Sequence, residues 1–188
     1  MLLLATSLAV GAYGWYVRAH QNFHVVATGQ VFRSGQMDAE TLTRVIKERG
    51  IKSVVNLRGA NSQHDWYRAE TNATGQLGVE HFDFALAARR EVQDQELESI
   101  LETIRNAPKP VLIHCDGGAD RSALVAALYL VELEGRRPDV AHRELSMWYG
   151  HVPLIRPKVS AMDHSFWRYV SNHALRAESL RQTNAPPP

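Results

Sequence analysis

"PVLIHCDGGADRSALVAALYLVELEG", residues 110–135, sets the architecture of the chain. Its start, "PVLIH", is a short apolar run of the kind that forms strands buried on both faces. Its end, "RSALVAALYLVELEG", is apolar almost all round, as a central helix is, and Gly135 stops it. Between them lies "CDGGAD", a turn that carries the only cysteine among 188 residues. A buried strand turning tightly into a buried helix is the repeating unit of an α/β sheet. In such sheets ligands bind outside the carboxyl ends of the strands, which is where Cys115 stands.

The flanking sequence continues this alternation. "QNFHVVATGQVFRSGQ" reads as a short connector with one strand over Val31–Ser34, between Gly29 and Gly35. "MDAETLTRVIKERG" reads as a helix capped by Asp38, with Leu42, Val45, Ile46 and Arg49 on one face and Gly50 as its stop. "KSVVNL" is a strand, "HDWYRAETNATGQLG" a helix with Trp66, Tyr67 and Ala73 inward, and "VEHFDF" a half-buried strand. Leu97, Ile100, Leu101 and Ile104 recur at helical spacing in "QDQELESILETIRNAP". "PDVAHRELSMWYG" reads as one helix, and "SAMDHSFWRYVSNHALRAESL" as a last one packing Phe166, Trp167 and Val170. Trp148 and Tyr149 read as core. The expected fold is α/β: a central, mainly parallel sheet of four to five strands, flanked by helices on both faces. One domain spans residues 21–178, followed by a disordered tail over 179–188.

The first stretch, "MLLLATSLAVGAYGWYV", has no charged side chain before Arg18. Its length lies near the lower limit for a spanning helix, and Tyr13, Trp15 and Tyr16 gather where interfacial aromatics belong. A hydrophobic anchor helix over residues 1–20 is therefore expected, with the membrane as a partner. Arg18, Arg33 and Arg44 follow it and lean the rest of the chain toward the cytoplasmic face. Elsewhere composition excludes. Twenty-one Lys and Arg against twenty Asp and Glu give no basic field, so no nucleic-acid partner is expected. A single cysteine rules out an internal disulfide framework and multi-cysteine zinc sites. The nine histidines lack ligand spacing, so neither metal nor cofactor is expected.

A lone cysteine is most often a small buried hydrophobe. The surroundings of this one argue for chemistry. Gly117 and Gly118 let the backbone curl so that successive N–H groups converge on one anion. The helix beginning near Arg121 adds its positive end, and the guanidinium can grip two oxygens at once. A setting that attracts phosphate also stabilises a thiolate. Cys115 is thus a nucleophile placed below a seated phosphate, and Ser122 can donate to its sulfur during departure.

"HCDGGADRS" resembles the His-Cys-x5-Arg-Ser/Thr signature of the cysteine-dependent protein tyrosine phosphatase superfamily. With "NFHVVATGQVFRSGQ" and "GIKSVVNLRG" upstream, residues 22–170 look like the atypical dual-specificity phosphatases. The resemblance implies a phosphomonoester hydrolase with a cysteinyl-phosphate intermediate, acting on phosphoprotein or on inositol phosphates and phosphoinositides. It implies Cys115 as nucleophile, Arg121 as phosphate clamp, Ser122 as sulfur partner, His114 as orienting residue, the backbone amides of residues 116–121 (Asp116, Gly117, Gly118, Ala119, Asp120, Arg121) as the phosphate cradle, and no metal.

The acid that protonates the leaving oxygen is not fixed by the signature. Asp83, 32 positions before Cys115, is the first choice and Asp120 the runner-up, with Glu91 and Asp94 as outside candidates at a helix start. Arg58, Arg89 and Arg90 are candidates for a second acidic group of the substrate. Two alternatives stay open from sequence: a rhodanese-like sulfurtransferase, which also uses a cysteine loop, and a catalytically dead phosphate-binding module.

Overall fold

The computed structural model describes Gly11, Tyr13 and residues 20–183, with side chains up to Arg176. Five strands form one sheet in the order β1-β2-β5-β3-β4. β1 (His24–Ala27) and β2 (Val31–Ser34) make an antiparallel hairpin, and β2, β5 (Val111–His114), β3 (Ser53–Asn56) and β4 (Glu80–Asp83) run parallel. The sheet is therefore mixed, with one antiparallel edge. β1 falls in a stretch that reads as connector in the sequence.

Side-chain alternation along the strands divides the core in two. Val31, Val55, Val111 and Ile113 face α3 (Asp94–Asn106), α4 (Arg121–Glu132) and α6 (Ala161–Thr183). Phe32, Val54 and Leu112 point the other way, toward α1 (Ala39–Arg49) and α2 (Asp65–Gln76). α1 forms as its sequence dictates: Asp38 accepts a hydrogen bond from the Thr41 amide at 2.8 Å, and Gly50 closes the helix in the left-handed region.

Several expectations are corrected. Only α5 (Pro138–Ala141) is helical in "PDVAHRELSMWYG"; single 3-10 turns follow at His142–Glu144 and Met147–Tyr149. The chain cannot continue helically there, because Leu145 leaves helical angles and Gly150 turns left-handed. Trp148 is exposed rather than core, and Trp167 stands partly in solvent while its neighbours Phe166 and Tyr169 are buried. In α2 the buried side chains are Glu70, Ala73 and Thr74, with Trp66 and Tyr67 only half-covered. α6 runs to Thr183, into the segment expected to be a disordered tail. The predicted anchor helix lies outside the described residues, apart from Gly11 and Tyr13. Among the described residues no helix is long and apolar enough to cross a membrane.

Candidate active site

The turn between β5 and α4 is held from outside by its own carbonyls. Asp116 O accepts from the Gln36 amide at 2.9 Å, Gly117 O from Asn22 Nδ2 at 3.2 Å, and Gly118 O from Arg33 Nη1 at 2.8 Å. In a planar trans peptide the N–H points opposite to the preceding carbonyl. Three carbonyls drawn outward therefore turn the amides of Gly117, Gly118 and Ala119 inward. Among the described residues no protein group accepts from the amides of residues 116–120. The first-turn amides of α4 are free by the nature of a helix start.

Gly118 is demanded twice over. Its φ is +68°, and a Cβ there would lie 2.5 Å from the Gly35 nitrogen and 2.7 Å from the Ser34 carbonyl carbon. The Ser34–Gln36 segment is thus pressed against the back of the turn.

Cys115 sits at the base, 2% exposed, with Sγ 3.4 Å from Ser122 Oγ. Arg121 is anchored through Nη1 alone, which donates to Leu57 O at 3.3 Å and Leu86 O at 3.2 Å. Its Nε is buried with no protein partner among the described residues. The Nε edge of a guanidinium is the fork that grips two oxygens of an anion, so the strand-end carbonyls fix one side and leave the gripping side to a ligand.

His114 Nε2 lies 3.0 Å from Glu70 Oε1, and Nδ1 lies 3.4 Å from Cys115 O. Glu70 also takes His81 Nε2 at 2.9 Å and Gln36 Nε2 at 2.6 Å. Burial pushes this carboxyl up, but the hydrogen bonds from His114 and His81 outweigh it and hold it at about 2. Sequence reasoning missed Glu70. The available signal was its place three residues before Ala73 on the inward face of α2.

Arg33 was also missed as part of this site. Wholly buried in β2, it lies over the Tyr149 ring at 4.3 Å and places Nε 2.8 Å from Glu144 Oε2, off the line of a good hydrogen bond. Burial dominates both partners, lowering the Arg33 value and raising that of Glu144.

The two acid candidates differ in what holds them. Asp83 ends β4 beside Asn56, two strands from His114, a separation of about 10 Å between backbones. Tyr67 Oη donates to its Oδ2 at 2.5 Å and Asn56 Nδ2 to its Oδ1 at 2.7 Å. Asp120 is buried, with Oδ1 2.7 Å from His151 Nδ1 and Oδ2 2.9 Å from Arg156 Nη2. Arg58 stacks on Trp66 at 3.8 Å, donates to Gln36 Oε1 at 2.8 Å and approaches Asp116 at 3.5 Å. Arg89 and Arg90 are exposed beyond β4 and join no part of this constellation. Glu91 and Asp94 are bound to Arg168, away from the cysteine turn. No group of three or more His, Cys, Asp or Glu among the described residues is arranged to hold a metal ion.

The structure resembles TpbA of P. aeruginosa at TM-score 0.59 and 23% identity, over 81% of this chain and 92% of that one. It resembles the core catalytic domain of the PP-IP phosphatase SIW14 of S. cerevisiae at TM-score 0.66 and 18% identity, over 86% and 93%. PTPMT1 aligns at TM-score 0.57 and 14% identity, over 81% and 98%. Among curated protein sequences none matches the chain. The family model for the PTP-SAK Swiss Army Knife protein, DSP-PTPase phosphatase domain, matches residues 21–187. The chain belongs to that family and is a cysteine-dependent phosphatase of the dual-specificity type.

Proposed function

We propose that the protein hydrolyses phosphomonoesters through a cysteinyl-phosphate intermediate. The carrying observation is the set of three outward-bound carbonyls, which turns the amides of residues 117–119 to the opposite side of the turn. Those amides and the Nε edge of Arg121 take the three non-bridging oxygens of the substrate. The Cys115 thiolate attacks phosphorus in line, the bond from phosphorus to the leaving oxygen breaks, and an acid supplies that oxygen with a proton. Water then attacks phosphorus, and the electron pair of the S–P bond returns to sulfur. Ser122 Oγ, 3.4 Å away, steadies the charge on sulfur in this second step.

Asp83 is the better acid. The proton must sit on an oxygen able to face the substrate, and both oxygens of Asp120 are turned to the cations Arg156 and His151. Asp83 accepts from the neutral donors Tyr67 and Asn56, has His81 Nδ1 3.7 Å away, and keeps part of its side chain in solvent.

The substrate class rests on analogy. A variant of TpbA is described in complex with pTyr, and SIW14 as a PP-IP phosphatase. We infer phosphotyrosine-type esters or inositol phosphates, bound to a chain tethered to a membrane, on its cytoplasmic face, by its first residues. Ser122 beside the sulfur favours this chemistry over sulfur transfer, and the intact Cys115, Arg121 and Ser122 favour turnover over passive binding.

The test is hydrolysis of an aryl phosphate, phosphotyrosine peptides and inositol phosphates in the presence of a chelator. Turnover lost in Cys115→Ser and in Arg121→Ala is expected. Undiminished turnover in Cys115→Ser refutes the covalent route. Binding of phosphorylated ligands without turnover by the parent chain identifies a passive module.

A further inference from the structure

We propose that the segment Met147–Lys158 is a docking surface for an anionic lipid bilayer, set beside the phosphate-binding turn. Four large apolar side chains stand in solvent here: Met147 is 66% exposed, Trp148 72%, Leu154 98% and Ile155 78%. A cluster of this kind on an otherwise well-packed domain marks a surface that meets something apolar.

The side chains are presented by a braced loop. His151 is buried between Asp120 and Asp163, and Val159 is buried at the far end. Tyr149 O accepts from Asn22 Nδ2 at 2.8 Å, and Arg156 holds Asp120. The same anchors place the segment next to the turn: a Cβ on Gly150 would lie 3.4 Å from Ala119 Cβ.

Three observations choose lipid as the occupant. From Leu145 to Met162 there is no Asp or Glu, whereas Lys158 and Arg156, the latter paired with Asp120, are exposed, so apolar and basic side chains share one exposed segment. That is the composition that enters an anionic interface, with Trp at headgroup depth. Beside Trp148 opens a cavity of about 300 Å³ whose walls include Arg44, paired with Glu48, and Arg49, whose guanidinium lies over the Phe23 ring, so a cation stands where headgroups would lie. Finally, Tyr13 packs edge-on against the Trp148 ring, 6.5 Å between centroids, and donates to Trp148 O. Tyr13, which follows twelve residues without a charged side chain in the sequence, thus lies against this patch.

The experiment places an environment-sensitive fluorophore on the full chain carrying Cys115→Ser and Leu154→Cys, so that residue 154 bears the only thiol. Mixing with vesicles of phosphatidylcholine plus phosphatidylserine should raise and blue-shift the emission. A label at Glu102→Cys on α3 should not respond. Lys158→Glu should weaken the response at residue 154 about tenfold. A silent label at 154 on vesicles that bind the chain overturns the proposal while leaving a tether by the first residues intact. Absence of vesicle binding overturns it as well. Emission already blue-shifted without lipid overturns it in favour of a second copy if it depends on concentration, or of the chain's own leader if it does not.

Discussion

Two clusters of histidine and carboxylate flank the cysteine turn, and they are built in opposite senses. Before it, one carboxylate serves two histidines: Glu70 takes His114 and His81. After it, one histidine serves two carboxylates: His151 lies between Asp120 and Asp163, and Asp163 also takes His142. Burial alone would push His151 down, yet hydrogen bonds to Asp120 and Asp163 carry it up to about 9. Asp163 is held well below the carboxylate range by His142 and His151, against the opposing effect of burial. The turn is thus fixed by an anion at its entrance, through His114, and by a cation at its exit, through Asp120. The difference lies in what each centre leaves behind when removed. Without Glu70 the two histidines lose a shared acceptor. Without His151 two carboxylates, one still held by Arg156 and the other by His142, lose the cation that bridges them.

The largest effect is therefore expected at the exit. His151→Ala should cost about 3–4 kcal/mol of stability, the usual cost of removing one partner from a buried ionic pair. Urea unfolding measures it, and a change below about 0.5 kcal/mol would show that the pair is solvated and not structural.

The pH profile sharpens the same point without mutation. A histidine raised from 6.5 to about 9 stabilises the fold fully below 6.5, and the contribution fades as pH climbs through 9. At about 1.4 kcal/mol per pKa unit the loss should reach about 3–4 kcal/mol on the alkaline side. For Glu70 the sign is reversed: its contribution is present above about 4.5 and disappears as pH falls through about 2. Stability measured across both limbs should lose its alkaline decline in His151→Gln and keep it in Glu70→Gln. An alkaline decline unchanged in His151→Gln would assign it to another group.

Glu70→Gln should itself be the milder lesion, at about 2 kcal/mol, the worth of hydrogen bonds to a charged group. Because His114 precedes the nucleophile, this substitution should also lower kcat with KM nearly constant, alike for good and poor leaving groups. Glu70 is a positioning residue on this reading. A rise in KM with kcat intact would place it in substrate binding instead.

How much of this was legible in the sequence follows from the range of the interactions. Cys115, Ser122 and Arg121 lie within eight residues on one strand, turn and helix, and local periodicity sufficed to find their setting. Asp38 and Gly50 were legible for the same reason, since capping is local. Glu70 and Arg33 act across 44 and 85 positions of sequence, on His114 and Gly118. Composition marks such residues only as charged, and charged residues are read outward by default. Trp148 failed in the opposite direction. An aromatic in an apparent helical stripe reads as core, but Gly150 and the 3-10 turns break the helix and leave the ring outside.

The smallest predicted effect concerns Asp83, the proposed acid, which belongs to neither cluster. Tyr67 donates to Asp83, and that bond, with burial second, raises the phenol to about 12, so it stays protonated throughout the working range. Tyr67→Phe removes one exposed hydrogen bond and should change stability by less than about 1 kcal/mol. Its kinetic signature is more informative. If Asp83 delivers the proton, releasing one of its oxygens from Tyr67 changes kcat for alkyl phosphates, whose leaving oxygen needs protonation, and leaves activated aryl phosphates nearly untouched. Asp83→Asn should show the same selectivity more strongly. Equal effects on both substrate types would make Asp83 a tie between β4 and α2. The proton would then have to come from the exit side of the turn, where the first oxygen to free is the one that Arg156 holds on Asp120.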